Sequence, residues 1–516
     1  MRILVMALLF IPVFIFSTEP KRELRAAWIA TVFNIDWPTT QGSSKETQKM
    51  ELIKILDNLQ ELKFNAAILQ VKPTSDVFYK SKLSPWSRYL TGTQGENPNY
   101  DPLAFFIEEA QKRAIETHVW VNPYRILNGE GFETLCSNHI ARKHPTWVIQ
   151  YNNRYYFDPG NPLVQQYVIK EVMEIVNNYD IDALHMDDYF YPYITYNKGV
   201  AVPFDDNMSW GKYGKKFKTR EDWRRDSVNH FIQKLSIKIK QSKKHVQFGI
   251  SPFGVWRNKS EDPLGSDTLA GQTNYDHLYA DIIKWIDNGW IDYVMPQIYW
   301  HFDSKPAPYG VLVKWWNDIV KDKVNLYIGL GVYKLGEQNW PTTYIKEQVD
   351  FARKFDYVDG VSYYSAKWIV QDTKNIKSYL NNTINNNFAL VPKNRNMTNI
   401  KPFQVENFIL SNKNNEYTLT WNNSDKELIR YFVIYRFNKG QKQDQENSQN
   451  IIAIVSAKQP LEFKINDYDN EYTYGITGVS RLHQESTLLT LEDTEQQKSL
   501  KIIDQLLEEN PIVETQ

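Results

Sequence analysis

Between residues 24 and 366, eight short apolar, β-branched or aromatic runs recur, each separated from the next by a stretch that includes helical spacing. The runs are "LRAAWIATV" from 24, "FNAAILQVK" from 64, "THVWVNPY" from 117, "IDALHMDD" from 181, "HVQFGISPF" from 245, "IDYVMPQIYW" from 291, "VNLYIGLGV" from 324 and "VDGVSYYSA" from 358. Among the intervening segments, "KMELIKILDNLQELK" and "LVQQYVIKEVMEIVNNY" place apolar residues every three or four positions, the period of a one-sided helix. Parallel strands need crossover helices, and an eighth strand can pair with the first. The expected fold is therefore α/β, a TIM (β/α)8 barrel over residues 23–382. An open doubly wound sheet is the alternative, but no Gly-rich phosphate turn follows the first run.

A barrel of this kind carries its site where the strands end. After the first run come Asp36 and Trp37, after the second Gln70, Asp76 and Tyr79, and after the third Asn122, Tyr124 and Arg125. The fifth leads to Ser251, Trp256 and Arg257, the sixth to Gln297, Tyr299 and Trp300, and the eighth to Tyr363, Tyr364 and Trp368. Amides, arginines and aromatic rings thus converge on one end. The chain has 16 Trp and 32 Tyr, and a flat apolar face with a polar tip suits a sugar ring. Trp28, inside the first run, is either a further stacking surface or core.

The fourth run continues as "IDALHMDDYFYPYITY". Side chains alternate along a strand, so Ala183, His185 and Asp187 share one face and Leu184 and Met186 the other. If the apolar pair meets the helices, His185 and Asp187 point to the barrel axis, with Asp188 and the ring of Tyr189 opening the loop. Two adjacent carboxylates that are poorly hydrated do not both ionise freely, so one acquires a raised pKa and can serve as an acid. Asp187 and Asp188 are the candidate catalytic pair, with Asp76 as an alternative partner across the same mouth. A histidine within a strand is most simply a hydrogen-bonding support.

Charge excludes other classes. The 60 basic and 61 acidic residues nearly cancel, so no nucleic-acid partner is expected. Nine histidines without close ligand spacing leave a metal site as a minor alternative, and neither a Walker loop nor a Gly-x-Ser-x-Gly elbow is present. No metal or cofactor is expected. Cys136 is the only cysteine, which rules out an internal disulfide. At the N-terminus, "MRILVMALLFIPVFIFS" reads as a secretory signal over residues 1–17, with an uncleaved membrane anchor as the alternative. The expected location is secreted, in a periplasm or at a bacterial surface, with no stable membrane insertion once the signal is removed.

The blocks "ELRAAWIATVFNIDWP", "YDPLAFFIEEAQKR", "HVWVNPYR", "HMDDYFYPY", "FGISPFGVWRN" and "IDYVMPQIYW" resemble, in order, the signature blocks of the glycosyl-hydrolase-like ten family, formerly domain of unknown function 187. The resemblance runs from about Glu23 to about Tyr379. It implies a secreted or lipid-anchored bacterial barrel, similar to glycoside hydrolases and linked to cleavage of peptide-free peptidoglycan glycan strands. The chain departs from the family by lacking a lipid-anchoring cysteine, and by having Lys72 where the family more often has arginine.

Beyond the barrel, "LNNTINNNFALVPKNRNMTNIKP" is Asn-rich, and residues 383–401 read as a linker. "EYTLTWNNS", "IRYFVIYRF", "NIIAIVSAK" and "YTYGITGVSR" suggest a small all-β sandwich over residues 402–490, resembling fibronectin type III, with Trp421 and Tyr435 as its core pair. Residues 491–516 read as an amphipathic helical tail. On this reading a chain ending near Asn382 folds alone. The expected function is hydrolysis of a glycosidic bond in a polysaccharide or peptidoglycan partner. The alternatives are a non-catalytic glycan-binding barrel and a hydrolase of a dietary or host polysaccharide.

Overall fold

The computed structural model describes residues 19–397, 400–423, 425–426 and 428–495. The apolar segment 1–17 and nearly all of the tail lie outside the described residues. Eight parallel strands close a barrel in chain order: β1 (Leu24–Ile29), β2 (Ala66–Lys72), β3 (Glu116–Val121), β4 (Ala183–Met186), β5 (Gln247–Ile250), β6 (Tyr293–Val294), β7 (Asn325–Leu330) and β8 (Val358–Tyr363). β8 returns to β1 with Leu24 opposite Gly360. Gly360 has φ +152°, and a Cβ there would lie 2.3 Å from the Leu24 carbonyl oxygen, so the closing register requires glycine. Among the described residues no helix is long and apolar enough to cross a membrane.

Strand alternation sorts the barrel into two layers. Ala27, Ile29, Leu69, Val119, Leu184, Met186, Phe248 and Ile328 face the helices. Leu24, Ala26, Trp28, Ala66, Ile68, Trp120, Ala183, Tyr293 and Tyr327 fill the interior. Small residues there make room for large rings: a Cβ on Gly249 would lie 1.9 Å from the Tyr293 ring. Outside, the helix Lys45–Glu61 begins where Ser44 Oγ accepts from the Thr47 backbone N–H at 3.1 Å, and it buries Leu52, Leu56 and Leu59. The helix Pro162–Asn178 is capped in the same way by Asn161, with proline in its first turn.

Seven further strands follow: β9 (Glu406–Lys413), β10 (Glu416–Asn422), β11 (Ile429–Asn438), β12 (Ile451–Ser456), β13 (Glu462–Ile465), β14 (Tyr472–Ser480) and β15 (Leu489–Thr490). They form two antiparallel sheets, ordered β9-β10-β13 and β12-β11-β14-β15. Trp421 packs with Phe432, ring centres 5.5 Å apart, in a core with Phe408 and Ile476. Tyr435 does not join it. By alternation along β11 it falls on the other face with Tyr431 and Val433, against Leu390.

That second face explains why the expected linker is not a free one. Leu390 exchanges backbone bonds with the segment leading into β1, through Glu23 N–H to Leu390 O at 2.9 Å and Leu390 N–H to Lys21 O at 2.8 Å. Val391 enters the interior cluster beside Leu24 and Ala66. The apolar "FALV" inside the Asn-rich stretch closes the floor of the barrel. Around it Arg430 binds Asp182 at 2.7 Å and Asp180 at 3.1 Å, which fastens the β-domain to the strand starts.

Candidate active site

At the opposite end of the barrel the strand ends enclose a cavity of about 270 Å³. β1 contributes Trp28 and β3 Trp120; the turn after β4 contributes Asp187, Tyr189 and Tyr193; Ser251 and Gln297 stand beyond β5 and β6. Tyr299, Tyr333 and Tyr364 complete the wall. Tyr299 lies nearly parallel to Tyr364 at 5.9 Å, while Tyr333 meets both edge-on, so three phenols from three strand ends form one aromatic panel.

Asp187 is the carboxylate on that cavity, 4% exposed. Its Oδ2 accepts from Trp120 Nε1–H at 3.2 Å and its Oδ1 from the Tyr189 backbone N–H at 3.4 Å. Burial, and then the adjacent Asp188, push its carboxyl up from the usual range, only partly offset by Arg125. Asp188 is fully buried and does not line the cavity. It accepts from the Tyr193 hydroxyl and from Gln297 Nε2–H at 3.3 Å. Burial raises it too, against those hydrogen bonds. The better-bonded Asp188 is thus the one suited to carry charge, and Asp187 the one suited to hold a proton.

Of the residues singled out from the sequence, Trp28, Asp187, Tyr189, Ser251, Gln297, Tyr299 and Tyr364 line the cavity. Behind them stand Asp188, His185, which accepts from Trp28 Nε1–H, and Arg125, whose guanidinium lies 4.3 Å from the Tyr189 ring centre. Gln70 and Asn122 are buried supports. Gln70 Oε1 accepts from the backbone N–H groups of Thr31 and Val32, and its Nε2–H donates to Asn122 Oδ1 at 3.4 Å.

The others are elsewhere. Asp76 is committed to its own loop, accepting from Thr74 Oγ1–H and Gln94 Nε2–H, so it is no partner for Asp187. Tyr79, edge-on to Tyr179, and Tyr124, against Phe231, belong to the helix-side core. Arg257 is spent on Asp262 and Asp276, each at 2.9 Å. Tyr363 points outward onto Phe64 because alternation gives the inward place to its neighbour Tyr364. Trp300 packs edge-on against Phe253 and is half-buried outside the lining. Lys72 sits past a register shift in β2 and faces Glu171 at 3.7 Å, both fully buried.

Trp256 is core as well, 4% exposed and stacked on Trp315. Trp256→Ala should therefore cost about 3–5 kcal/mol of stability and leave the glycan affinity of the folded fraction intact. Thermal melts and binding isotherms check this, and a weakened affinity with an unchanged melt would return Trp256 to the mouth.

Sequence reasoning left Trp120, Tyr193 and Tyr333 unnamed. Trp120 shares the inward parity of His118, and Tyr193 lies in the aromatic stretch after the aspartates, so both had a signal. Tyr333 follows the apolar "GLGV", a strand end without polar residues to draw attention. Among the described residues no group of three or more His, Cys, Asp or Glu is placed to hold a metal ion. A cavity of about 320 Å³ lies at the barrel base against the β-domain, but it is lined by Asp180, Asp182 and Arg430, which already pair with one another.

The family model described as "Glycosyl hydrolase-like 10" matches residues 23–346. The glycosyl hydrolase YngK of Bacillus subtilis (strain 168) is 42% identical over 92% of this chain and 94% of its own length. The glycosyl hydrolase DigH of Escherichia coli O6:H1 is 38% identical over 70% of this chain and 88% of its own. Among solved structures, the glycoside hydrolase domain of PgaB (BpsB) from Bordetella bronchiseptica aligns with a TM-score of 0.44 at 12% identity, covering 70% of this chain and 98% of that one.

Proposed function

The chain belongs to the glycosyl hydrolase-like 10 family, and from that premise we propose that it is a glycosidase cleaving O-glycosyl bonds in the glycan strands of a bacterial cell wall. The observation that carries the reading is Asp187, a carboxyl held up by burial and by a charged neighbour, on a cavity walled by indole and phenol rings. The rings offer apolar faces to pyranose rings, and Gln297 and Ser251 supply polar contacts to their substituents. Asp187 donates the proton to the glycosidic oxygen as the bond breaks, water adds its hydroxyl to the anomeric carbon, and the proton that water releases restores the Asp187 carboxyl. Trp120 and the Tyr189 amide hold it in place. Asp188 acts through Asp187: after burial, its negative charge is what pushes the Asp187 carboxyl up and favours the protonated form.

The substrate class follows from the resemblance to a family linked with peptide-free glycan strands. Residues 1–17, read as an export signal, would place the enzyme in a periplasm or at the cell surface, where such strands are. The order of three strands facing four in the C-terminal sheets supports the fibronectin type III-like reading.

Incubation of the purified protein with peptide-free glycan strands should release new reducing ends. Binding without product would favour a glycan-binding barrel, and activity confined to a dietary or host polysaccharide would change the substrate class. Asp188→Asn adds a sign test. Removing the neighbouring negative charge lowers the pKa of Asp187, so Asp187 loses its proton at lower pH and the alkaline limb of the kcat/KM profile should move towards acid. An unmoved limb would mean that the proton donor is not Asp187.

A further inference from the structure

A TIM barrel interior is ordinarily packed with branched apolar side chains. Here a polar file runs down the axis from the cavity to the β-domain: Trp28, His185, Tyr293, His118, Glu116 and His483, all buried. We propose that this file is a hydrogen-bond chain of a single polarity, anchored by His483 of the β-domain, which fixes the Trp28 indole in the cavity wall and makes His483 and Glu116 positioning residues for the site.

The polarity follows from the chemistry of the two ends. An indole N–H can only donate. Trp28 Nε1 lies 3.2 Å from His185 Nε2, so that nitrogen accepts and the His185 proton sits on Nδ1. From there it is donated to the Tyr293 oxygen at 3.0 Å. Tyr293 has one hydroxyl proton, and the remaining neighbour is His118 Nδ1 at 3.1 Å, which in the neutral imidazole accepts it. The His118 proton is therefore on Nε2, directed at Glu116 Oε2 at 3.4 Å. A carboxylate can only accept, so the chain of donors that starts at Trp28 ends at Glu116. His483 Nε2 bonds the other oxygen, Glu116 Oε1.

Two further features agree. Burial alone would raise Glu116, yet His483 and His118 beside it hold the carboxyl well below the usual range, so it is the ionised acceptor the chain requires. Burial holds His185 well below the usual imidazole range, so it is the neutral form that can accept from Trp28. His483 is itself fixed to the barrel base, its carbonyl accepting from Arg22 Nη1–H at 3.1 Å. At the other end Trp28 meets Tyr364 edge-on at 6.1 Å, so the indole's orientation shapes the aromatic wall. In a dry interior, reversing one tautomer would set two donors or two acceptors face to face. Loss of the anchor is thereby felt at the cavity.

The test uses the full chain with 15N-labelled histidine and tryptophan. Ring-nitrogen shifts should place the proton on Nδ1 of His185 and on Nε2 of His118, and the Trp28 indole signal is assigned by its loss in Trp28→Phe. His483→Ala should move that indole signal and lower turnover of peptide-free glycan strands by about 10-fold, the scale of removing an outer support of a site residue. His483→Gln keeps a donor near the place of Nε2 and should restore both. Tyr293→Phe cuts the chain midway without touching the domain seam and should move the Trp28 signal too. A proton on Nε2 of His185 in the wild type overturns the proposal, as does a folded His483→Ala or Tyr293→Phe variant whose Trp28 signal is unmoved. The spectra decide the matter even if the wild type turns over no glycan, so failure of the hydrolase reading and failure of the chain are separate outcomes.

Discussion

Asp187→Asn should leave a folded protein whose turnover of glycan strands falls by about 100-fold or more, the scale of losing a positioned proton donor. The amide keeps the volume of the carboxyl and its oxygen can still accept from Trp120 Nε1–H or from the Tyr189 amide, though not as fully from both. One lost acceptor in a buried place costs about 1–3 kcal/mol. Against that, the variant no longer sets two carboxyls side by side in a buried place, so the melting temperature should change little. What the amide lacks is a transferable proton of suitable acidity. Initial rates of reducing-end formation and a thermal melt, taken together, decide the matter. Near-normal rates would remove Asp187 from the chemistry, and a collapsed melt would make it a structural group.

The contrast between Asp187 and the residues that did not reach the cavity shows which physical signal each rested on. Eight strand-like runs separated by segments with helical spacing lead to a closed parallel barrel because few other arrangements satisfy parallel pairing at every edge. Within a strand, alternation carries the same authority: His185 and Asp187 point inward because Leu184 and Met186 have to meet the helices. The rule also separates the two tyrosines of "SYYS", turning Tyr363 outward onto Phe64 and Tyr364 into the cavity. Past the strand ends no period applies. Trp256, Arg257 and Asp76 are residues of suitable chemistry that their loops turn to local packing, ion pairing or loop bracing, and composition alone does not separate those uses from sugar binding.

The polar axis lay outside any such reading for a different reason. His118, His185 and Tyr293 are each unremarkable in their own strands, and Glu116 opens a strand where a solvated carboxylate is ordinary. Only closure of the barrel sets them in file, and only docking of the β-domain brings His483 to Glu116, 367 positions away in sequence. Long-range pairings of this kind leave no local pattern to find.

Ending the chain near Asn382 should therefore fail, contrary to the expectation that the barrel folds alone. The cut removes Leu390 and Val391, whose burial at the barrel floor is worth about 1.5–3 kcal/mol each. It also takes Arg430 from Asp182 and His483 from Glu116. Removing one member of a buried pair typically costs about 3–5 kcal/mol, although fresh access to water at the open floor would reduce that figure. A domain's whole stability is only about 5–15 kcal/mol, so losses of this size suffice to unfold it. A chain ending at Asn396 separates the contributions. It keeps the floor plug and loses only the β-domain, so it should be the more soluble of the two, with a melting temperature below that of the full chain. Expression in the soluble fraction, followed by thermal melts of whatever is recovered, checks the order. If the chain ending at Asn382 proves soluble, melts like the full protein and turns over short glycans at the full rate, the floor plug and the β-domain are accessories, and the barrel is the complete catalytic unit.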